Sequence, residues 1–137
     1  PLKPGGDVVA IHIYKMNDTD WIGPYMEANV MFGARLSKEI AGAYSPYLFL
    51  SSDIGVAHGR EVHGQPKKYA KPSLEVRGDR IVGTVERNGI DVVTGTLAYK
   101  QEKASIEELS THFDFSNNIH LKDIAPLDGR PAIRQLP

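Results

Sequence analysis

Along most of this chain apolar and polar residues alternate in short runs that end at Gly, Pro or Asn. That pattern belongs to strands joined by turns. Val8 to Met16 sets Val8, Ala10, His12 and Tyr14 against Val9, Ile11 and Ile13, and apolar groups on both sides predict a strand buried on both faces. Pro24 to Leu36 predicts a second strand, with Tyr25, Glu27, Asn29 and Met31 on one face and Met26, Ala28, Val30 and Phe32 on the other. Ala43 to Leu50 is a third. Ser73–Arg77, Arg80–Glu86 and Ile90–Tyr99 read as a three-strand meander turning at Gly78-Asp79 and Asn88-Gly89, the second pair being a strong hairpin signal.

Helical signals are few. Ser52 can cap a short helix running to His63, with Gly64 as its stop. Ala104 to Leu109 predicts another turn or two. Asn117–Asp123 and Ala132–Leu136 are two further strand candidates, linked by Pro126-Leu127-Asp128-Gly129. The expected fold class is mainly β (α+β), a closed or folded-over antiparallel sheet with few short helices.

At 137 residues and 41% hydrophobic, the chain has material for one compact core, so a single domain over residues 1–137 is expected. The formal net charge of -1 gives no broad positive field, which argues against nucleic acid or an anionic membrane as partner. The absence of cysteine excludes disulfides, thiolate metal sites and cysteine catalysis, and suits the cytoplasm. No apolar run approaches the roughly 18 residues of a membrane span. The start at Pro1 without Met, and the end at Pro137 after a strand-like run, read as a domain lacking N- and C-terminal parts.

The sharpest chemical signal is Gly59-Arg60-Glu61-Val62-His63-Gly64-Gln65-Pro66-Lys67-Lys68-Tyr69. Pro66 restricts Gln65 to an extended conformation, and the lysines after it are expected to be extended too. Neighbours on an extended chain point to opposite sides, so one lysine can enter a pocket while the other stays outside. A lysine in an apolar pocket loses the hydration of its charged form and becomes easier to deprotonate. The neutral amine is a nucleophile toward a ketone, and the resulting iminium is an electron sink. The alternative is a solvated basic loop, since Lys71 is close by. Glu27, in mid-strand beside Met26 and Ala28, reads either as half of an ion pair or as a pocket acid.

The block Gly59-Arg60-Glu61 with Pro66-Lys67-Lys68, together with Met16-Asn17-Asp18-Thr19, Tyr25-Met26-Glu27, Tyr47 to Asp53, Ile81-Val82-Gly83-Thr84, Tyr99-Lys100 and Asp128-Gly129-Arg130-Pro131, resembles the central part of the acetoacetate decarboxylase family. The resemblance runs over nearly all of the chain in one order. It implies that Lys67 forms the Schiff base. Lys68 would be the neighbour credited with lowering its pKa, an effect this family is commonly used to illustrate; geometry alone points Lys68 away and leaves desolvation of Lys67 as the dominant effect. It implies that Glu27 shuttles protons during carbinolamine formation and loss, with Tyr25 beside it on the same face. It implies a β-keto acid such as acetoacetate as substrate, acetone and carbon dioxide as products, and further copies of the chain as partners. Neither a metal nor an organic cofactor is expected, because the lysine itself is the electron sink.

Two positions depart from the family. Counting back from Glu27 without a gap, His12 stands where the family has a second carboxylate; it exchanges protons near neutrality but supplies no fixed negative charge. Gln65 stands where the family has an aromatic or apolar residue, and it wets the pocket or hydrogen-bonds substrate. These departures keep open a Schiff-base aldolase-dehydratase acting on pyruvate and an aldehyde, and a non-catalytic small-molecule-binding relative. The family's carboxylate-binding arginine lies upstream of the part that this sequence resembles, so no residue is assigned to it. Arg60 and Glu61 read as a salt bridge or a helix-to-loop anchor. His58 and His63 lack the spacing that puts two metal ligands on one helix face. Arg77-Gly78-Asp79 falls in a turn where Gly-Asp is expected anyway, and Asn17-Asp18-Thr19 fits a glycosylation acceptor with no secretory signal behind it.

Overall fold

The structure, a computed structural model, describes residues 2–99, 102–124, 128, 130 and 133–135. The chain opens with β1 (Lys3–Met16), β2 (Tyr25–Arg35) and β3 (Ala41–Leu50), paired antiparallel in that order. Helix α1 (Asp53–His63) then carries the chain back so that β4 (Lys67–Tyr69) joins the free edge of β3 in parallel. A parallel neighbour needs such a crossover, and here the helix supplies it. Ser52 caps α1 by accepting a 3.1 Å bond from the Gly55 N–H. Gly64 ends it at φ 68°, its N–H on the Arg60 carbonyl, while Gln65 N–H reaches the Gly59 carbonyl.

Strands β5 (Lys71–Arg77), β6 (Arg80–Arg87) and β7 (Ile90–Ala98) form a separate antiparallel meander. Asn88 at φ 55° and Gly89 at φ 79° make the two-residue connection expected of an Asn-Gly hairpin. This meander packs on one face of the first sheet. Ala28, Phe49, Ala70 and Val85 are buried between the two, with Ile13 and Val93 against them. A second buried cluster joins Met31, Ala43 and Phe113, with Ala10 packed against it.

Helix α2 (Ile106–His112) starts later than the pattern predicts, because Ser105 caps it through the Glu108 N–H. The strand expected over Asn117–Asp123 divides into β8 (Asn118–Ile119), parallel to β3, and β9 (Lys122–Ile124), antiparallel to β10 (Ile133–Gln135). Ala132 and Leu136, and the linker residues Pro126, Leu127 and Gly129, lie outside the described residues. The fold is mainly β, as expected, and the described residues form one mixed and two antiparallel sheets. Burial of β1 on both faces does not hold. Ile11 is 57% exposed and Val9 48%, because the meander covers Ile13 but leaves an apolar cleft of about 290 Å³ beside Ile11. Among the described residues no helix is long and apolar enough to cross a membrane.

Candidate active site

Strand register decides which side chains meet. Residues directly opposite one another in a sheet share a face. Tyr14 pairs with Glu27, and Glu27 with Leu50; His12 pairs with Asn29, Asn29 with Leu48, and Leu48 with Lys67. His12, Tyr14, Glu27, Asn29 and Lys67 therefore stand on the face away from the meander, and the intervening residues Ile13, Ala28, Phe49 and Lys68 on the other.

Lys67 Nζ lies 3.4 Å from Glu27 Oε2, with side chains only 11% and 7% exposed. Tyr14 Oη donates a 2.6 Å hydrogen bond to the other carboxylate oxygen, Oε1. Glu27 is thus held between a phenol and an amine, which orients both of its oxygens and satisfies a carboxylate that would be costly to bury alone. Burial first, and then the Glu27 carboxylate, push the Tyr14 hydroxyl far above its ordinary value, so Tyr14 stays a proton donor to Glu27. The same two causes raise the Tyr25 hydroxyl.

Helix α1 shapes the approach of the lysine. Gly59 is buried, and a Cβ there would run into Cδ and Cε of Lys67 and come within 2.8 Å of Gln65 Oε1. The missing side chain lets the lysine stem pass against the helix. Arg60 Nη1 reaches back to the Lys67 carbonyl at 3.4 Å, a long contact from helix to strand.

Each residue singled out by sequence has a place relative to this pair. Tyr25 and Glu27 share a face and a charge interaction. Gln65 is partly buried, its Oε1 close over Gly59 near the lysine stem. Lys68 turns to the opposite face, with Nζ 5.8 Å from the centre of the Tyr47 ring. His12 is two residue pairs along from Glu27, on the same face, and stacks on Phe115 with centroids 5.7 Å apart. Burial lowers its pKa and favours the neutral ring. His58 and His63 meet edge to face at 5.4 Å on α1, and among the described residues no group of three or more acidic or histidine side chains could hold a metal.

Two partners were not singled out by sequence reasoning. Tyr14 was assigned to the His12 face, and only the β1–β2 register puts it opposite Glu27. His120 is 4% exposed, and the charges of His63 and Lys67 add to burial in lowering its pKa. A cleft of about 520 Å³ beside Trp21 and His58 includes neither Lys67 nor Glu27. The buried amine and carboxylate lie together outside that cleft, 3.4 Å apart and almost closed to solvent.

The family model described as acetoacetate decarboxylase matches residues 1–136. The chain belongs to the acetoacetate decarboxylase family. Acetoacetate decarboxylases of Acidiphilium cryptum and Bordetella avium are 36% and 35% identical to it over 136 residues, which is 99% of this chain and 55% and 54% of theirs. The chain therefore spans about half the length of the curated relatives it matches. The crystal structure of acetoacetate decarboxylase from Legionella pneumophila superposes with a TM-score of 0.85 at 29% identity, over 98% of this chain and 53% of that one. A second solved acetoacetate decarboxylase gives 0.86 at 31% identity, over 99% of this chain and 55% of that one. The meander packed on the mixed sheet is the fold of this part of the family.

Proposed function

We propose that the protein is a Schiff-base lyase that decarboxylates a small β-keto acid of the acetoacetate class. The observation that carries the reading is the buried Lys67–Glu27 pair at 3.4 Å, in a member of this family. Transfer of one proton from Nζ to Glu27 turns the ion pair into an amine and a carboxylic acid. The amine lone pair then bonds to the ketone carbon, and the C=O π pair moves to oxygen. Glu27 gives its proton to that oxygen and takes one back from nitrogen, leaving the neutral carbinolamine. Glu27 then protonates the departing hydroxyl, which leaves as water as nitrogen forms the iminium.

The carbon–carbon bond to the carboxylate breaks into this sink and carbon dioxide departs. The enamine takes a proton at carbon, and water releases the ketone. Tyr14 keeps Glu27 oriented through each proton transfer. No separate electron sink is needed.

The second reading, condensation of pyruvate with an aldehyde followed by dehydration, is favoured by one observation. His12 is neutral where the family has a carboxylate, so the face beside Glu27 carries one fixed negative charge fewer. One experiment separates the readings. Acetoacetate with borohydride should leave an isopropyl group on Lys67, the reduced imine of acetone, and acetone should accumulate without reductant. Pyruvate with borohydride should leave a carboxyethyl group on Lys67, and with an aldehyde it should give a conjugated keto acid if the second reading holds. No adduct from either acid would leave a non-catalytic relative.

A further inference from the structure

His120 is a buried histidine that the chemistry above does not use. It follows β8, whose residues Asn118 and Ile119 pair in parallel with Ala43 and Tyr44 of β3. Further along the same edge, Lys67 of β4 pairs with Leu48. Both short strands run in the direction of β3, so the chain leaving β8 heads toward the start of β4, and His120 is its first residue. The segment is then pinned over the loop before Lys67: Lys122 packs so close to Gly64 that a Cβ there would clash with its backbone, and Lys122 Nζ reaches the Val62 carbonyl at 3.4 Å. Next to this pinned segment His120 is 4% exposed, and it lies near enough to Lys67 for the amine's charge to act on its ring. Its Nδ1 has no hydrogen-bond partner among the described residues. Buried polar atoms are almost always paired, and an unpaired one beside a reactive amine calls for an explanation. Burial, and then the nearby His63 and Lys67, lower the pKa of the ring and favour its neutral form, which can present an N–H without carrying a charge.

We propose that Nδ1–H of His120 donates a hydrogen bond to the ketone oxygen of the substrate as Lys67 attacks, and holds the resulting hydroxyl until it leaves as water. The inference rests on the Lys67 reading above. His120 neither gains nor loses a proton: the protons pass between nitrogen, Glu27 and oxygen as described, and His120 stabilises the charge that develops on oxygen.

The test is the initial rate of borohydride-trapped adduct at Lys67 with acetoacetate, in wild type and in His120→Asn, His120→Gln and His120→Leu, each checked for folding by circular dichroism. An Asn amide can place its N–H near the position of Nδ1, whereas a Gln amide falls nearer Nε2. Asn should therefore stay within about tenfold of wild type, while Gln and Leu should fall by about a hundredfold or more, the loss expected for one donor to a developing oxyanion. A merely structural histidine would not separate Asn from Gln. Trapping at the wild-type rate in folded Leu, or in folded Gln if Leu does not fold, overturns the proposal; so does an Asn variant no better than Gln. Failure of the wild type itself to form an adduct would instead remove the Lys67 reading, and this proposal with it.

Discussion

The two faces of the first sheet are built from the same strands and have opposite characters. On the face toward the meander, Ala28 and Phe49 meet Ala70 and Val85 in an apolar layer. On the other face, one residue along each strand, stand Tyr14, Glu27, Asn29 and Lys67. The period of two along a strand makes this possible: one register serves packing and chemistry at once, and a slip of one residue would exchange them. Lys67 and Lys68 show the same division within two residues. One is 11% exposed and paired with Glu27, and the other lies over Tyr47 on the opposite side.

Substitutions can break this division. Lys67→Met should abolish keto-acid adduct formation, read by mass spectrometry after borohydride, whereas Lys68→Met should stay within about twofold of wild type, as for a surface position away from the site. Glu27→Gln should lower turnover, measured as carbon dioxide release, by about 10²- to 10⁴-fold, the range of a lost general acid–base; equal activity would remove Glu27 from the mechanism. On the packing face, Phe49→Ala should cost about 3–5 kcal/mol in denaturant unfolding, with adduct formation per folded molecule little changed. Gly59→Ala sharpens the comparison from the helix side. Ala is the better helix former by up to about 1 kcal/mol, so unfolding should hardly move, yet displacement of the lysine stem should slow adduct formation about tenfold or more.

The smallest effect expected is in pH. Burial depresses the pKa of both His12 and His120 below the ordinary value of 6.5. Below about pH 6.5 the unfolded chain takes up protons that the native rings resist, so stability should be constant above that pH. It should decline as pH falls below it and level off once the native rings are themselves protonated. Denaturation midpoints between pH 5 and 8 check the sign; a midpoint that rises on acidification would contradict it.

Much of this arrangement was legible along the chain. The Asn88-Gly89 turn, the Ser52 cap and the Gly64 stop are local signals, and each holds because its physics involves only a few neighbouring residues. The Pro66-Lys67-Lys68 block and the run Tyr25-Met26-Glu27 pointed to two residues that the fold brings within 3.4 Å of each other. Tyr14 was harder, because alternation puts it on the same face as His12 without saying which of them stands opposite Glu27. That choice depends on how residues 17–24 turn. His120 was hidden because Asn117–Asp123 reads as one strand, whereas the parallel docking of β8 on β3 breaks it. The exposure of Ile11 was misjudged for a related reason: an apolar pattern shows what can be buried, not whether another layer reaches it.

The amino-acid order alone determined a mainly β chain, its tight turns, and the alternation that sends Lys67 and Lys68 to opposite sides, since these follow from backbone geometry and residue type over a few positions. Tertiary structure alone decided that Glu27 lies between Lys67 and Tyr14, and that His120 is buried within reach of the lysine's charge. The physical reason is that these meetings depend on a crossover helix and on strand register between residues 13 to 53 positions apart, and no local preference encodes such a distance.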